Sequence, residues 1–398
     1  MGRKRSVGAL SGDLFDRAAP GAGGGRRRRA TRPRSEVGTT ELLSPAADPL
    51  PVRALKPSIN DEAPVSPAEE YFDEPFRDFE FVGGLHLTNS ILWFDADRKR
   101  DLVFVSHAHG GTIGKNRRIL ATDKTIRIVT RKSGKIDALT SPYKRGFTIG
   151  PLRLEMHPAG HVLGSAQLLV ERNERRLVFA PDVCIRKSAT VERAAPIPCD
   201  ALALPPTYGH PMFRFPPRDE VMRDIESFID RCFEDHATPV LIAGVIGAAQ
   251  ELMRRLGDDG YRMRVHGSIY DVAKIYRNLG VTLNGARRFA GPPAREEVVI
   301  FPPILKRHAS IRKLRKFRTA IVSGRALEPG FKFKQRVDEV FPFSDTADHS
   351  ELHDFVDATG ASEVYLYGPR YVEDFGAELR KKGIKVIPLV EPKQLNLL

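Results

Sequence analysis

Two histidines separated by one residue, His107-Ala108-His109, follow directly on the strand-like run Asp101-Leu102-Val103-Phe104-Val105-Ser106. At a strand end that spacing can turn both imidazoles to one side, an arrangement that suits a metal taking nitrogen ligands. A third histidine lies in His157-Pro158-Ala159-Gly160-His161-Val162-Leu163-Gly164-Ser165-Ala166-Gln167, where small residues on both sides of His161 let backbone pack closely around it. Phe179-Ala180-Pro181-Asp182 closes another strand with an acid at its tip. His107, His109, His161 and Asp182 together have the composition of a tetrahedral zinc site. A set of ordinary loop polar residues is the competing reading of the same positions. Cys184, two residues past Asp182, reads as a small buried side chain rather than a soft ligand.

The elements that must position these groups fall into two regimes. Phe79–Val82, Ser90–Phe94 and Asp101–Ser106 read as strands, as do 126–129, 152–156, 167–171 and 176–180. Turn residues at Ser133-Gly134, Ile149-Gly150-Pro151 and Arg172-Asn173-Glu174 separate them. From Arg218 onward the apolar spacing becomes helical over 218–235 and 247–256. Short strands at 239–243 and 298–301 interleave, and the closing stretch reads strand 319–322, helix 350–358, strand 363–367, helix 371–382, strand 384–388. Strands first and alternation later predict α/β layers, with sheets inside and helices outside. No repeat of solenoid period is present.

The chain has 398 residues, Lys+Arg 63 against Asp+Glu 50, and a net charge of +13. Residues 1–35 carry +8 and residues 36–78 carry −7, so nearly all the excess belongs to the remaining body. The first 78 residues are rich in Pro, Gly and Ala and poor in aromatics, which predicts a disordered charged tail. Its first half is also a candidate basic arm for phosphate contacts. A basic body favours an anionic partner, nucleic acid first. No run of about 18 apolar residues predicts a membrane span, and no apolar stretch follows the basic N-terminus to make a secretory signal. Cys184, Cys199 and Cys232 suit neither a disulfide framework nor a zinc knuckle, so a reducing, cytoplasmic setting is expected.

The collinear segments Ser106–His109, His157–Gln167 and Asp182 resemble the metallo-β-lactamase fold, and more narrowly its β-CASP nucleic-acid-processing branch. Thr207-Tyr208-Gly209-His210-Pro211, Phe215-Pro216-Pro217-Arg218, Ser323-Gly324-Arg325-Ala326-Leu327 and Phe343-Ser344-Asp345-Thr346-Ala347-Asp348 extend the resemblance over residues 79 to about 390. It implies an αββα sandwich with an inserted α/β β-CASP cap. The core would occupy 79–209 and 323–398, resuming with the strand before Ser323, and the cap 210–322. The family's core holds two zinc ions that act on a phosphodiester.

Against that pattern, positions expected to bear ligands or proton donors have changed. The first motif, His-x-His-x-Asp-His in the family, here ends in Gly111 and Thr112 where the acid and the last histidine belong. Pro205 stands where an acid usually precedes Thr-Tyr-Gly. Thr346 replaces the histidine thought to protonate the leaving group, and a threonine is no general acid near neutral pH. Tyr367 replaces a late histidine ligand, and a phenol with pKa about 10 is a poor substitute. The resemblance therefore implies one zinc ion on His107, His109, His161 and Asp182 rather than two. The expected function is nucleic-acid binding, RNA or DNA, or partnership with an active homologue or a second copy, with hydrolysis lost. The alternative is a one-zinc exo- or endonuclease using Asp182 with His349 or His210 as compensating acid.

Helix capping by Asp348 or Ser350, with Glu351 in the first turn, is the simpler reading of that neighbourhood. Candidate phosphate contacts are Arg186 and Lys187 after the Asp182 loop, and the run Lys306, Arg307, Arg312, Lys313, Arg315 and Lys316. On a helix Arg312, Arg315 and Lys316 would share a face.

Overall fold

The computed structural model describes residues 77–389 except Asp97, 110–115, Arg117 and Lys135. The expectations for the tail up to residue 76 and for Gly111 and Thr112 therefore fall outside the described residues. The chain runs β1 (Phe79–Phe81), β2 (Leu85–Leu87), β3 (Leu92–Phe94), β4 (Leu102–Phe104), β5 (Ile119–Ala121), α1 (Asp123–Ser133), β6 (Ala138–Thr140), β7 (Phe147–Ile149), β8 (Leu152–Pro158), β9 (Ala166–Arg172), β10 (Arg175–Phe179) and β11 (Ala201–Leu204). It continues through α2 (Arg218–Glu234), β12 (Thr238–Ile242), α3 (Ala248–Asp258), β13 (Arg262–Val265), α4 (Gly267–Asn278), β14 (Ala286–Arg288), β15 (Glu297–Phe301), α5 (Ala309–Arg312), β16 (Phe317–Val322), α6 (Phe331–Gln335) and β17 (Glu339–Phe341). The last elements are α7 (His349–Thr359), β18 (Glu363–Tyr367), α8 (Val372–Lys381) and β19 (Lys385–Leu389).

Among the described residues three sheets result, each shaped by how its strands alternate. The first has the order β1-β2-β3-β4-β5-β6 and the second β19-β18-β11-β10-β9-β8-β7. Strand β8 buries alternate residues, Leu152, Leu154 and Met156, as a half-buried strand should. These meet Phe79, Phe94, Phe104 and Leu120 of the first sheet in one apolar cluster, with Phe94 stacked on Phe179 at 4.6 Å between ring centres. The two sheets thus pack face to face. The other face of the second sheet is covered by α7 and α8 through Leu352, Phe355, Phe375 and Leu379.

The third sheet is parallel throughout, in the order β14-β13-β15-β12-β16-β17. Its central strands, Thr238–Ile242 and Glu297–Phe301, are almost continuously buried, because both faces of a parallel sheet are covered. One cover is α2, whose buried Val221, Met222, Ile225, Phe228, Ile229 and Cys232 recur at helical spacing. Each such side chain contributes about 1.5–3 kcal/mol when fully buried.

Three expectations are corrected. Residues 126–129 form part of α1, not a strand. The Thr122 side chain caps the helix by accepting from Thr125 N, and Ile128 and Val129 are buried on one face, which outweighs their β-branched preference. The strand before Ser323 does not return the chain to the first two sheets. β16 pairs with β12 and β17, so the third sheet extends to Phe341. Order begins before Phe79. Asp78 is 2% exposed and pairs with Arg172 at 3.2 Å and Arg175 at 2.9 Å. Among the described residues no helix is long and apolar enough to cross a membrane.

Candidate metal centre and nucleic-acid interface

Strand ends build the centre. His107 and His109 lie just past β4, and His161 sits in the turn between β8 and β9. Ala166 N donates to Ser106 O at 2.8 Å, which ties the two strand ends together. The turn is tight. Gly160 has φ 76°, and a Cβ there would lie 2.0 Å from Cys184 O, so only glycine fits. Ser165 Oγ accepts from His161 N at 3.1 Å and Val162 N at 3.2 Å, which holds the turn in shape.

The three rings form a near-equilateral, edge-on triangle, with centres 5.1, 5.0 and 4.9 Å apart. Their ligand nitrogens lie within 4.8 Å of one another. Each outer nitrogen has its own support. His107 Nδ1 donates to Ser106 Oγ at 2.7 Å, and that hydroxyl in turn donates to Asp95 Oδ2 at 2.5 Å. His109 Nε2 faces Ile246 O at 3.4 Å. His161 Nδ1 reaches Asp345 O at 3.1 Å, with Thr346 Oγ1 at 3.3 Å and Asp345 Oδ1 at 3.5 Å. Such outer bonds fix the tautomer of a metal-binding imidazole and aim its lone pair inward.

This pattern fits a metal. With the outer nitrogens protonated, His109 Nδ1 and His161 Nε2 face each other as lone pairs at 3.0 Å, a repulsion that a cation between them removes. Nitrogens bonded to one tetrahedral zinc at about 2.0–2.1 Å sit roughly 3.3 Å apart, close to the 3.0 Å between His109 and His161. Burial and mutual repulsion push His109 down to about 4 and His107 well below the usual imidazole range. Both rings are therefore neutral at pH 7, the form that binds metal.

The other predicted residues distribute differently. Asp182, at the end of β10, is half-buried and accepts from Thr207 Oγ1 at 2.6 Å; it lies outside the three-histidine group. Thr346 is buried beside His161. Tyr367 stacks on Phe179 at 5.8 Å, and burial holds its phenol well above the ordinary value. Pro205 follows β11 and packs near Gly368. His210 Nδ1 accepts from Met212 N at 3.1 Å, and its ring lies by Tyr371. His349 turns away from the three histidines to bond Glu378 Oε2 at 2.8 Å, as does His353. The reason is helical phase. Asp348 caps α7 in a capping box with Glu351, so His349 begins the helix facing α8.

The basic candidates also separate. Arg186 is a clamp, donating to Thr346 O at 2.6 Å, pairing with Glu351 at 3.2 Å and lying over the Phe215 ring. Lys187 is exposed, and its carbonyl accepts from Arg218. Lys306 bonds Gln335, and Lys316 donates to Asp235 O at 2.6 Å. Arg307, Arg312, Lys313 and Arg315 are exposed. The shared helical face does not form, because α5 spans only Ala309–Arg312 and Lys313 already caps it.

Sequence reading missed Asp95 and Ser106, although Asp95 ends β3 much as Asp182 ends β10. It also missed the Ile246 carbonyl. Asp345 comes close because Gly247, at φ 90°, leaves room; a Cβ there would lie 2.2 Å from Asp345 Oδ2.

No protein-family model matches the chain. Over 324 residues, 80% of this chain, it is 30% identical to a protein described as "Probable DNA ligase" from Opitutus terrae, and the match covers 32% of that protein. Over 183 residues, 39% of this chain, it is 26% identical to an "RNase J-like protein" of Methanocaldococcus jannaschii, covering 43% of it. The matched region thus covers less than half the length of either curated relative. These similarities close the description of a mixed α/β protein with a three-imidazole centre at converging strand ends.

Proposed function

We propose that the chain is a nucleic-acid-binding protein of the metallo-β-lactamase, β-CASP type, with a one-metal centre and a disabled hydrolytic apparatus. The first two sheets with α1, α7 and α8 would be the αββα core, and the third sheet with its helices the cap. The observation that carries the reading is the set of three imidazoles, each held from outside, with the Thr346 hydroxyl beside His161 Nδ1. His107, His109 and His161 would hold a zinc-class ion, with Asp182 nearest in role as a further ligand. Such an ion supplies Lewis-acid polarisation of a phosphoryl oxygen. The chain's own residues orient the imidazoles and keep them neutral. Thr346 Oγ1 offers a hydroxyl but no proton at neutral pH. Tyr367, with its raised phenol, supplies no anionic ligand.

DNA is favoured over RNA as the partner. The ligase-named relative aligns with 80% of this chain, the RNase J-like one with 39%.

A second reading, a slow one-metal phosphodiesterase, is favoured by the Asp345 carboxylate 3.5 Å from His161. Cleavage of end-labelled single-stranded DNA and RNA with added Zn²⁺ or Mn²⁺ separates the two, with His109→Ala as control. We expect no cleavage above that control, together with salt-sensitive binding of the uncleaved DNA. Cleavage lost in His109→Ala and in Asp345→Asn establishes the second reading.

A further inference from the structure

A cavity of about 550 Å³ opens at the carboxyl ends of β13 and β15, lined by Arg131, His266, Ser268, Arg288, His308 and Ser310. The two strands are adjacent and parallel. From β13 the chain passes through α4 to β14 on its outer side; from β15 it passes through α5 to β16, on the far side of β12. Outgoing connections that diverge from neighbouring strands leave a crevice at their carboxyl ends, the usual ligand position in an open parallel sheet.

The side chains in this crevice are donors. His266 and His308 cap α4 and α5, and their Nδ1 atoms accept from Ser268 N at 3.2 Å and Ser310 N at 3.3 Å. Each ring is thereby fixed with its proton on Nε2. Arg131, reaching over from α1, donates Nη1 to Ser268 O at 3.1 Å, while its Nε is buried without a hydrogen-bond partner. Arg288 lies against Gly267, where a Cβ would be 2.9 Å from its Nη2. Its acidic neighbour Asp271 is 3.8 Å away and also pairs with Lys274 at 3.4 Å. Two guanidinium groups and two imidazoles with Nε2–H donors thus line the cavity together with a single carboxylate, Asp271. Phe289 and Phe301 add apolar wall.

We infer that this cavity is a phosphate subsite, one that holds a backbone or terminal phosphate of the bound nucleic acid away from the imidazole centre. The inference rests on the nucleic-acid reading above. Position supports it. Two strand spacings, roughly 10 Å, separate the end of β13 from that of β12, and Ile246, in the loop after β12, meets His109. A strand of nucleic acid over the three histidines and along this sheet edge meets the cavity.

The test is binding of fluorescent single-stranded DNA, with 5′-phosphate or 5′-hydroxyl, to the full chain across a salt series. Arg288→Gln and His308→Ala are the variants, since both side chains are accessible, and thermal unfolding confirms that they fold. We expect affinity to fall about tenfold in Arg288→Gln, as for loss of a charged hydrogen bond. The slope of log affinity against log salt should become shallower by about 0.7, the value for one phosphate on a single strand. Unchanged slope and affinity in both variants, with the wild type binding DNA, overturns the subsite and leaves the nucleic-acid reading intact. No binding by the wild type overturns both. Inorganic phosphate and a nucleoside monophosphate serve as separate probes. If they lose affinity in the variants while DNA binding does not change, the cavity serves a free nucleotide and the inference fails.

Discussion

Two histidine clusters in this chain use the same residue types to opposite ends. At His107, His109 and His161 the outer nitrogens are held by a hydroxyl and two carbonyls, and the inner lone pairs converge on one another. At His349 and His353, one turn apart on α7, both Nε2 atoms converge on Glu378 Oε2 at 2.8 Å, and both Nδ1 atoms are buried without partners. The second cluster is already satisfied by its carboxylate and has no outer support for the opposite tautomer. It is a clamp between α7 and α8, whereas the first is arranged so that an ion would relieve it. Ligand type and spacing therefore do not make a metal site; what the far nitrogen bonds does.

The sharpest way to break this comparison is metal content. We expect His161→Ala or His109→Ala to lose a full equivalent of zinc, measured by elemental analysis after stripping and reloading. His353→Ala should lose none. Zinc loss in His353→Ala, with the first cluster unaffected, would invert the comparison. The support beneath His107 is the next test. Asp95→Asn and Ser106→Ala should weaken zinc binding about 10–100-fold in a chelator competition while the fold survives. Equal affinity would mean that Ser106 does not orient the ring.

Smaller effects belong to the clamp. Glu378→Ala leaves two largely buried imidazoles unpaired, and about 1–3 kcal/mol of stability should disappear in urea unfolding. Zinc binding should not change. The smallest expected effect is on pH dependence. Burial raises the Glu378 carboxyl, but its bonds to His353 and His349 outweigh this and hold it below the usual value. Burial lowers His353 against the pull of Glu378. A depressed carboxyl gives stability above its unfolded pKa that is lost as pH falls through the folded one. A depressed histidine loses stability as pH falls below about 6.5, where the unfolded ring protonates first. Both act in the same direction, so acidification from pH 7 to 4 should destabilise the wild type more steeply than His353→Gln. Parallel curves would show that the clamp does not titrate.

Much of the fold was legible in the chain. The alternating burial of β8, the helical spacing of α2 and the Asp348–Glu351 box on α7 are local patterns, and local patterns are what a sequence carries directly. Residues 126–129 misled because β-branched side chains also sit well in a helix when Thr122 caps it and one face is buried. The basic run at 306–316 forms no shared helical face for a related reason. Charge density is visible in one dimension, but its run is broken by a short helix, and Lys306 and Lys316 are tied to neighbours. The donors that do meet in a cavity, Arg131, His266, Arg288 and His308, come from four separate elements.

The sequence by itself determined the residue types at the strand tips, the elements that carry them, and the threonine and tyrosine at positions 346 and 367. Only the tertiary structure decided which tips converge. It set Asp95 behind Ser106, Ile246 against His109 and Asp345 against His161, and it turned His349 toward α8. The physical reason is that hydrogen-bond partners and lone-pair directions depend on strand pairing and helix phase, which join residues as far apart as 137 and 184 positions. Residue identity along the chain specifies the donors and acceptors but not which of them face each other.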